Sequence, residues 1–291
     1  MNARIKRAGA GDRMDDSELK EIETLAAGVP VPMLKRAFDG DRTAQAGAFE
    51  GLQKLLEEHL TLPKMERLLF LLLRKWYEEG DKETLKYLPN YYSTGRAHVM
   101  DTESEMRDAV IYALEAESLG LGRGSEYELH TAYSGRFPDL CAYDRRLSES
   151  YLRKAVKKED PRAMLEYGKI LEEGSLKEKI SALDYYEKAG VAGNADGYLY
   201  AARLLADSDF RSMVEDGPMR YANDATEAIV LGRPEGYFYL GYAHLDSTLG
   251  NSVAIALQLL IEGAKLGDEK CIRGRDSIFE LYHADMNGRR R

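Results

Sequence analysis

The sequence predicts an all-α protein built from stacked helical hairpins. Apolar residues recur at helical spacing, whereas runs that alternate apolar and polar residues between turns are scarce. A Gly or an acidic turn separates successive helices at intervals of roughly 34 to 40 residues, which is the period of helical-repeat solenoids. These junctions stand at Gly80, Gly120, Glu159, Gly193, Gly232 and Gly267. We therefore predict a right-handed α-solenoid of antiparallel hairpins over residues 80–278.

Two further segments flank the predicted repeats. Residues 1–79 match no repeat and are predicted to form an N-terminal helical region. Its helical segments include Thr43–His59 and Pro63–Glu79, which we expect to cover the exposed face of the first repeat. Residues 279–291 are predicted to form a C-terminal tail.

The first helix of each hairpin has a recognisable start. The Asp160 side chain can accept hydrogen bonds from the free amides of the first turn. Pro161 suits the first helical position, because the backbone N–H that proline lacks would have no partner within the helix there. Asn194 and Asp268 can cap helices in the same way. Second helices are predicted over Ala182–Ala189, Tyr221–Leu231 and Val253–Leu266, each with a small residue four positions before the next junction.

Counting from each junction residue as zero aligns the first helices. One face is small or apolar in every copy, as closely packed helices require. The eighth residue after the junction (position plus eight) is Leu88, Tyr167, Ala201 or Leu240 in the four copies. The ninth residue (position plus nine) is small in three copies, at Gly168, Ala202 and Gly241. This register assigns Leu240, Tyr167, Tyr198 and Tyr237 to the core.

Composition excludes several functional classes. The chain carries 50 acidic against 41 basic residues, a net charge of −9, which offers nucleic acid a poor counter-charge. The longest apolar run, Leu68–Leu73, is too short to span a bilayer. Met1–Asp16 lacks the apolar stretch of a secretory signal, so we expect a cytoplasmic protein.

No motif predicts catalysis, a metal or a cofactor. Cys141 and Cys271 stand alone, and the histidines share no ligand-like spacing. The glycines of Gly120–Gly124 lack the preceding strand and the Lys of a phosphate-binding loop. Ser17 and Lys20 have the spacing of some acyl-enzymes without the partner motifs, so a helix-start role is the default.

Tyrosine is far more frequent than the other aromatic residues, with 19 Tyr against 7 Phe and one Trp. Positions plus three, seven and ten of the first helices share a face separate from the apolar one. They combine charge of both signs with Tyr, a composition that suits a protein partner. This predicted stripe consists of Glu83, Tyr87 and Asn90; Arg162, Glu166 and Lys169; Asp196, Tyr200 and Arg203; and Glu235, Tyr239 and Tyr242.

One copy of the repeat resembles a Sel-1-like repeat, a relative of the tetratricopeptide repeat. The matching residues are Ala163–Gly168, Gly174, Ala182–Tyr186, Lys188-Ala189 and Gly193-Asn194. Gly236–Gly241 and Ala254–Gly267 match again, and the other copies match loosely. The resemblance implies that the first helices line a concave groove and that the stripe faces a ligand.

The same resemblance implies a non-catalytic scaffold that binds a protein partner. Within that class we expect a bacterial immunity or adaptor protein for a secreted toxin or effector. Two alternatives remain open: a hydrolase with a site in the groove, and a receptor for a peptide or cell-wall fragment.

Overall fold

The computed structural model describes residues 31–58, 63–89, 103–121, 124–246 and 248–288. All regular structure in these ranges is helical, which confirms the predicted fold class. The chain divides into two compact units, one ending at Glu149 and the other beginning at Ser150, and each has its own core.

The first unit is formed by short helices around an aromatic core. Its helices are α1 (Val31–Phe38), α2 (Arg42–Glu58), α3 (Pro63–Glu78), a short 3-10 helix (Lys82–Lys86), α4 (Glu103–Ser118) and α5 (Glu126–Tyr133). Helix α6 (Arg145–Lys157) runs across the boundary between the units. Tyr77 of α3 packs edge-to-face on Tyr112 of α4, with ring centroids 5.0 Å apart. The two helices predicted for the N-terminal region are present as α2 and α3, with His59 outside the described residues.

The second unit is a series of helical hairpins. Its helices are α7 (Pro161–Glu172), α8 (Leu176–Val191), α9 (Ala195–Leu205), α10 (Ser208–Met213), α11 (Gly217–Val230), α12 (Glu235–Leu245), α13 (Val253–Lys265) and α14 (Glu269–Gly288). The hairpins pair α7 with α8, α9 with α11, and α12 with α13. The first helices α7, α9, α12 and α14 also contact one another in that order.

Each predicted junction is a left-handed residue that ends one helix and directs the chain into the next segment. The six junction residues have φ between 58° and 97°, and five of them are Gly, which adopts this region without steric penalty. The backbone N–H of the residue after each junction donates to the carbonyl oxygen of the residue five positions before that donor. The N–O distance is 2.7 to 3.1 Å in all six cases. This bond satisfies a carbonyl that the helix end leaves free. Glu159 is the exception to Gly, at φ 58°.

Caps then begin the first helices as the sequence predicts. Asp160 accepts hydrogen bonds from the amides of Arg162 and Ala163, at 2.9 and 3.2 Å. Asn194 accepts from the Asp196 amide at 3.2 Å, and Asp268 accepts from the Cys271 amide at 2.7 Å.

Small residues let the helices of a hairpin approach closely. A Cβ built on Gly168 would lie 2.6 Å from the ring of Tyr186, so that ring occupies the space a side chain would need. Tyr186 and Tyr221, both on second helices, are fully buried.

The register is wrong about four side chains. Tyr167, Tyr198, Tyr237 and Leu240 are half-buried rather than buried. In the hairpin of α7 and α8, the ring of Tyr186 from the second helix fills the space beside Gly168.

The short helix α10 is held by a buried arginine. Arg211 is 6% exposed, and its guanidinium donates to the carbonyl of Leu205 at 2.7 Å. It also pairs with Asp246, at the end of α12, at 2.8 Å, and lies 5.0 Å from the ring centroid of Tyr221. The pair therefore joins the hairpin of α9 and α11 to the next hairpin.

A buried carboxyl group lies on α11 without such pairing. Asp224 is 4% exposed, and its Oδ2 has no hydrogen-bond partner among the described residues. The pKa of this carboxyl is raised to about 8, chiefly by burial and also by the nearby Glu187 carboxylate, whereas Arg220 acts to lower it. The folded protein therefore favours the protonated, neutral form of Asp224 at neutral pH.

We predict that Gly197→Ala destabilises the second unit. A Cβ at Gly197 would lie 2.4 Å from the Gly190 amide nitrogen and the Tyr186 carbonyl oxygen, so α8 and α9 would have to separate. We expect a loss of about 1 to 3 kcal/mol in the free energy of unfolding, measured by chemical denaturation. In the control Gly241→Ala the nearest atom would be 3.3 Å away, and the gain in helix propensity should offset the crowding. Equal effects of the two substitutions would contradict the close packing of α8 on α9.

We also predict a pH-dependent difference between wild type and Asp224→Asn. Folding raises the pKa of this carboxyl from about 3.9 in an unfolded chain to about 8. Its contribution to stability is therefore present in acid and is lost as the pH rises through that window. The difference in melting temperature, Asp224→Asn minus wild type, should increase from pH 5 to pH 8 and become constant above pH 8. A difference that does not change with pH would show that Asp224 is ionised in the folded protein.

Candidate functional site

The side-by-side first helices of the second unit form a groove lined by four of the twelve residues of the predicted stripe. Its volume is roughly 530 Å³. Four predicted residues line it: Tyr200, Arg203, Glu235 and Tyr239. The remaining walls come from α9, from the turn before α12 and from the start of α14, including Leu199, Pro234, Leu266, Lys270 and Arg273. We call this the α9–α12–α14 groove.

Tyr200 lies between two cations. The Lys169 ammonium is 4.9 Å and the Arg203 guanidinium 4.6 Å from its ring centroid. Arg203 also pairs with Glu172 of α7, which accepts a further hydrogen bond from the Tyr186 hydroxyl at 2.6 Å. These contacts link α7, α8 and α9, and they hold the Tyr200 ring in place at the groove.

Tyr239 corrects the sequence interpretation, which placed it on the exposed face. It is only 4% exposed, because it packs into the core cluster of the second unit with Tyr221 and Ala243. Its hydroxyl accepts a hydrogen bond from the Lys270 ammonium at 2.9 Å, and that ammonium lies 5.0 Å from its ring centroid. The side chain thus forms the floor of the groove rather than a free contact surface.

Tyr242 is the exposed aromatic residue of the same helix. It is 42% exposed and stacks on Phe238 with centroids 6.2 Å apart and planes 17° from parallel. Phe238 in turn lies edge-on to Tyr239, at 5.3 Å. The aromatic surface of α12 therefore continues from the floor of the groove to solvent.

Several other stripe residues are held by near neighbours. Arg162 pairs with its own capping residue Asp160 at 2.8 Å, and Glu166 lies 3.9 Å from Lys169. Asp196 pairs with Arg233. Their charges are thus largely committed to the stability of the hairpins.

Glu235 differs from these residues. It is half-buried at the start of α12, and its Oε2 has no partner among the described residues.

The first copy of the stripe lies in the other unit. Tyr87 is 41% exposed and its ring packs on Phe49, with centroids 5.3 Å apart. Glu83 pairs with Lys86, and Asn90 lies outside the described residues.

Lys270 and Arg273 line the groove but are not part of the predicted stripe. The register was extended through only four first helices, although Lys270 stands three residues after Gly267 and so occupies the plus-three position of a fifth. The long helix α14 supplies this fifth copy. Applying the count once more would have identified Lys270, whereas nothing in the spacing indicates Arg273.

Other chemical features of the described residues are few. They contain no group of three or more His, Cys, Asp and Glu side chains arranged to hold a metal ion. Within the same residues, no helix is both long enough and apolar enough to cross a bilayer. Ser148 Oγ lies 2.9 Å from His130 Nδ1, but Ser148 is 6% exposed, so a substrate would not reach it.

Comparison with solved structures identifies the fold. The chain is similar to the crystal structure of a Sel1 repeat protein from Oxalobacter formigenes, with a TM-score of 0.52 and 17% identity over 79% of this chain and 89% of that chain. It also matches a protective antigen of uropathogenic Escherichia coli with an SLR fold, at a TM-score of 0.35 and 14% identity over 92% of this chain and 68% of that chain. No family model and no curated protein matches the sequence. The expected Sel-1-like repeat fold is therefore confirmed by the first of these structures.

The burial of Tyr239 generates a stability prediction. Tyr239→Ala should remove a packed ring and lower the free energy of unfolding by about 3 kcal/mol or more. Tyr242→Ala on the same helix should change it by about 1 kcal/mol or less, because that ring is partly exposed. Thermal and denaturant unfolding of both variants would test this. If the two variants are equally stable, Tyr239 is not the floor of the groove.

Proposed function

We propose that this chain is a non-catalytic scaffold that binds a segment of a partner protein in the α9–α12–α14 groove. The proposal depends chiefly on one observation: four residues predicted from the sequence stripe line the same cavity. That cavity is lined by two Tyr and two Arg side chains, which are residue types enriched at protein-binding surfaces. Its volume is within the range of pockets that hold small ligands or peptide side chains.

The groove is also pre-organised for binding. Tyr200 is held between Lys169 and Arg203, and Tyr239 is fixed by the Lys270 hydrogen bond. A ring that is already fixed loses little conformational entropy when a partner packs on it. Tyr200 is half-buried, so part of its ring stays available for contact.

The narrower part of the proposal concerns the kind of partner. We propose that the chain acts in the bacterial cytoplasm as an immunity protein or an adaptor for a secreted toxin or effector. The support is the Sel-1-like repeat fold together with a groove suited to an extended segment. Capture of the partner from the native cell, with cell fractionation and inspection of the neighbouring genes, would test it. A toxin gene beside this one would favour immunity, and a secretion gene would favour an adaptor.

We predict that Tyr200→Ala weakens binding of the captured partner by about 2 kcal/mol or more if the ring is a central contact. Calorimetric titration of the purified partner into the full chain would measure this. The matched control is Tyr185→Ala, because Tyr185 is also half-buried and has a cation, Lys188, 5.4 Å from its ring centroid. Tyr185 belongs to the second helix α8 and does not line the groove. Wild-type affinity in Tyr200→Ala, with the fold intact, would place the binding site elsewhere.

A further inference from the structure

The carboxylates of the groove are accounted for by the helices that carry them. Glu235 is the first residue of α12, Asp268 caps α14, and Glu269 is the first residue of α14. Free amides and the positive end of the helix dipole stabilise anions at these positions. No ligand is needed to explain why acidic residues stand there.

The cations of the groove are not explained in this way. Lys270 is the second residue of α14, and a positive charge in a first helical turn is destabilising. Arg273 follows one turn later, and both side chains are exposed. Among the described residues, Lys270 donates to Tyr239 and Arg273 donates to the Glu269 carbonyl, and neither forms an ion pair with a carboxylate. Two uncompensated cations thus face the same groove from one helix.

Arg203 adds a third cation from the opposite wall. It is 45% exposed at its side chain even though it pairs with Glu172. Two of the cations pack against aromatic rings: Arg203 contacts the ring of Tyr200, and Lys270 contacts the ring of Tyr239. These contacts restrict the side chains and reduce the entropy lost when they bind an anion.

We infer that the groove selects a partner segment rich in Asp or Glu, whose carboxylates pair with Lys270, Arg273 and Arg203. The inference rests on the proposed function and names the chemistry of the segment held in the same groove. An apolar side chain of that segment would pack against Leu199 and Leu266, which also line the groove. Leu266 is 63% exposed.

The net charge of the chain makes such a site selective. With a net charge of −9, the protein as a whole repels an acidic segment, so attraction is confined to the local cluster of cations. Binding of an acidic segment to the protein surface outside the groove is therefore disfavoured.

The test uses random 12-residue peptides displayed on phage and selected on the full chain. Peptides selected on wild type should contain more Asp and Glu than peptides selected on the double variant Lys270→Gln/Arg273→Gln. The control is Lys265→Gln/Arg275→Gln, which removes the same charge at positions that do not line the groove. A selected peptide should bind roughly tenfold more weakly to the double variant than to wild type. Its affinity for the control variant should equal its affinity for wild type. Replacing its acids by Asn and Gln, or raising the salt concentration, should have a similar effect.

The outcomes separate this inference from the proposed function. If selected peptides depend on Tyr200 but show no excess of acids, the groove binds a segment and the acidic inference is wrong. If their binding is insensitive to both Tyr200→Ala and the double variant, neither the inference nor the groove as the binding site survives. Selection of no peptide at all overturns the inference, while partner capture still tests the proposed function.

Discussion

The left-handed residue at each junction is the constraint on which the hairpin stack depends. It ends a helix within one residue and allows the following amide to donate to a carbonyl of the last turn. The acceptor is usually a small residue, such as Ala189 or Ala228, and both of these are fully buried. A single local geometry therefore ends the helix and places its small side chain against the neighbouring elements. Repetition of this geometry gives successive first helices similar orientations, and they come to lie side by side.

The groove follows from that arrangement. Its two tyrosines differ in depth. Tyr200 packs against the core cluster of the second unit but keeps part of its ring exposed, whereas Tyr239 is a buried member of that cluster. The polar network of Glu172, Tyr186 and Arg203 connects the wall of the groove to the buried interior of the preceding hairpin. The rigidity of the groove thus derives from the core behind it.

Local features were predictable from the sequence, and features set by neighbouring helices were not. The junctions and the caps at Asp160 and Asn194 depend on the preferences of a few adjacent residues, and these are readable in one chain. The burial of Tyr239 depends on how α12 packs into the core cluster of the second unit, which no spacing within α12 reveals. Asp224 was hidden for a different reason: with 50 acidic residues in the chain, nothing in the pattern distinguishes the one that packing buries.

The buried pair of Arg211 and Asp246 has a consequence for cooperativity. In an ideal repeat array each hairpin opens with a free energy set by itself and its nearest contacts. Here a buried guanidinium of one hairpin pairs with a carboxylate at the end of the first helix of the next, so the pair strengthens the interface between these two neighbours. Removing one partner of such a pair while the other stays buried costs about 3 to 5 kcal/mol. We therefore expect the residues from α9 to α13 to open together as one foldon, so that fraying of the α12 wall of the groove loosens the α9 wall.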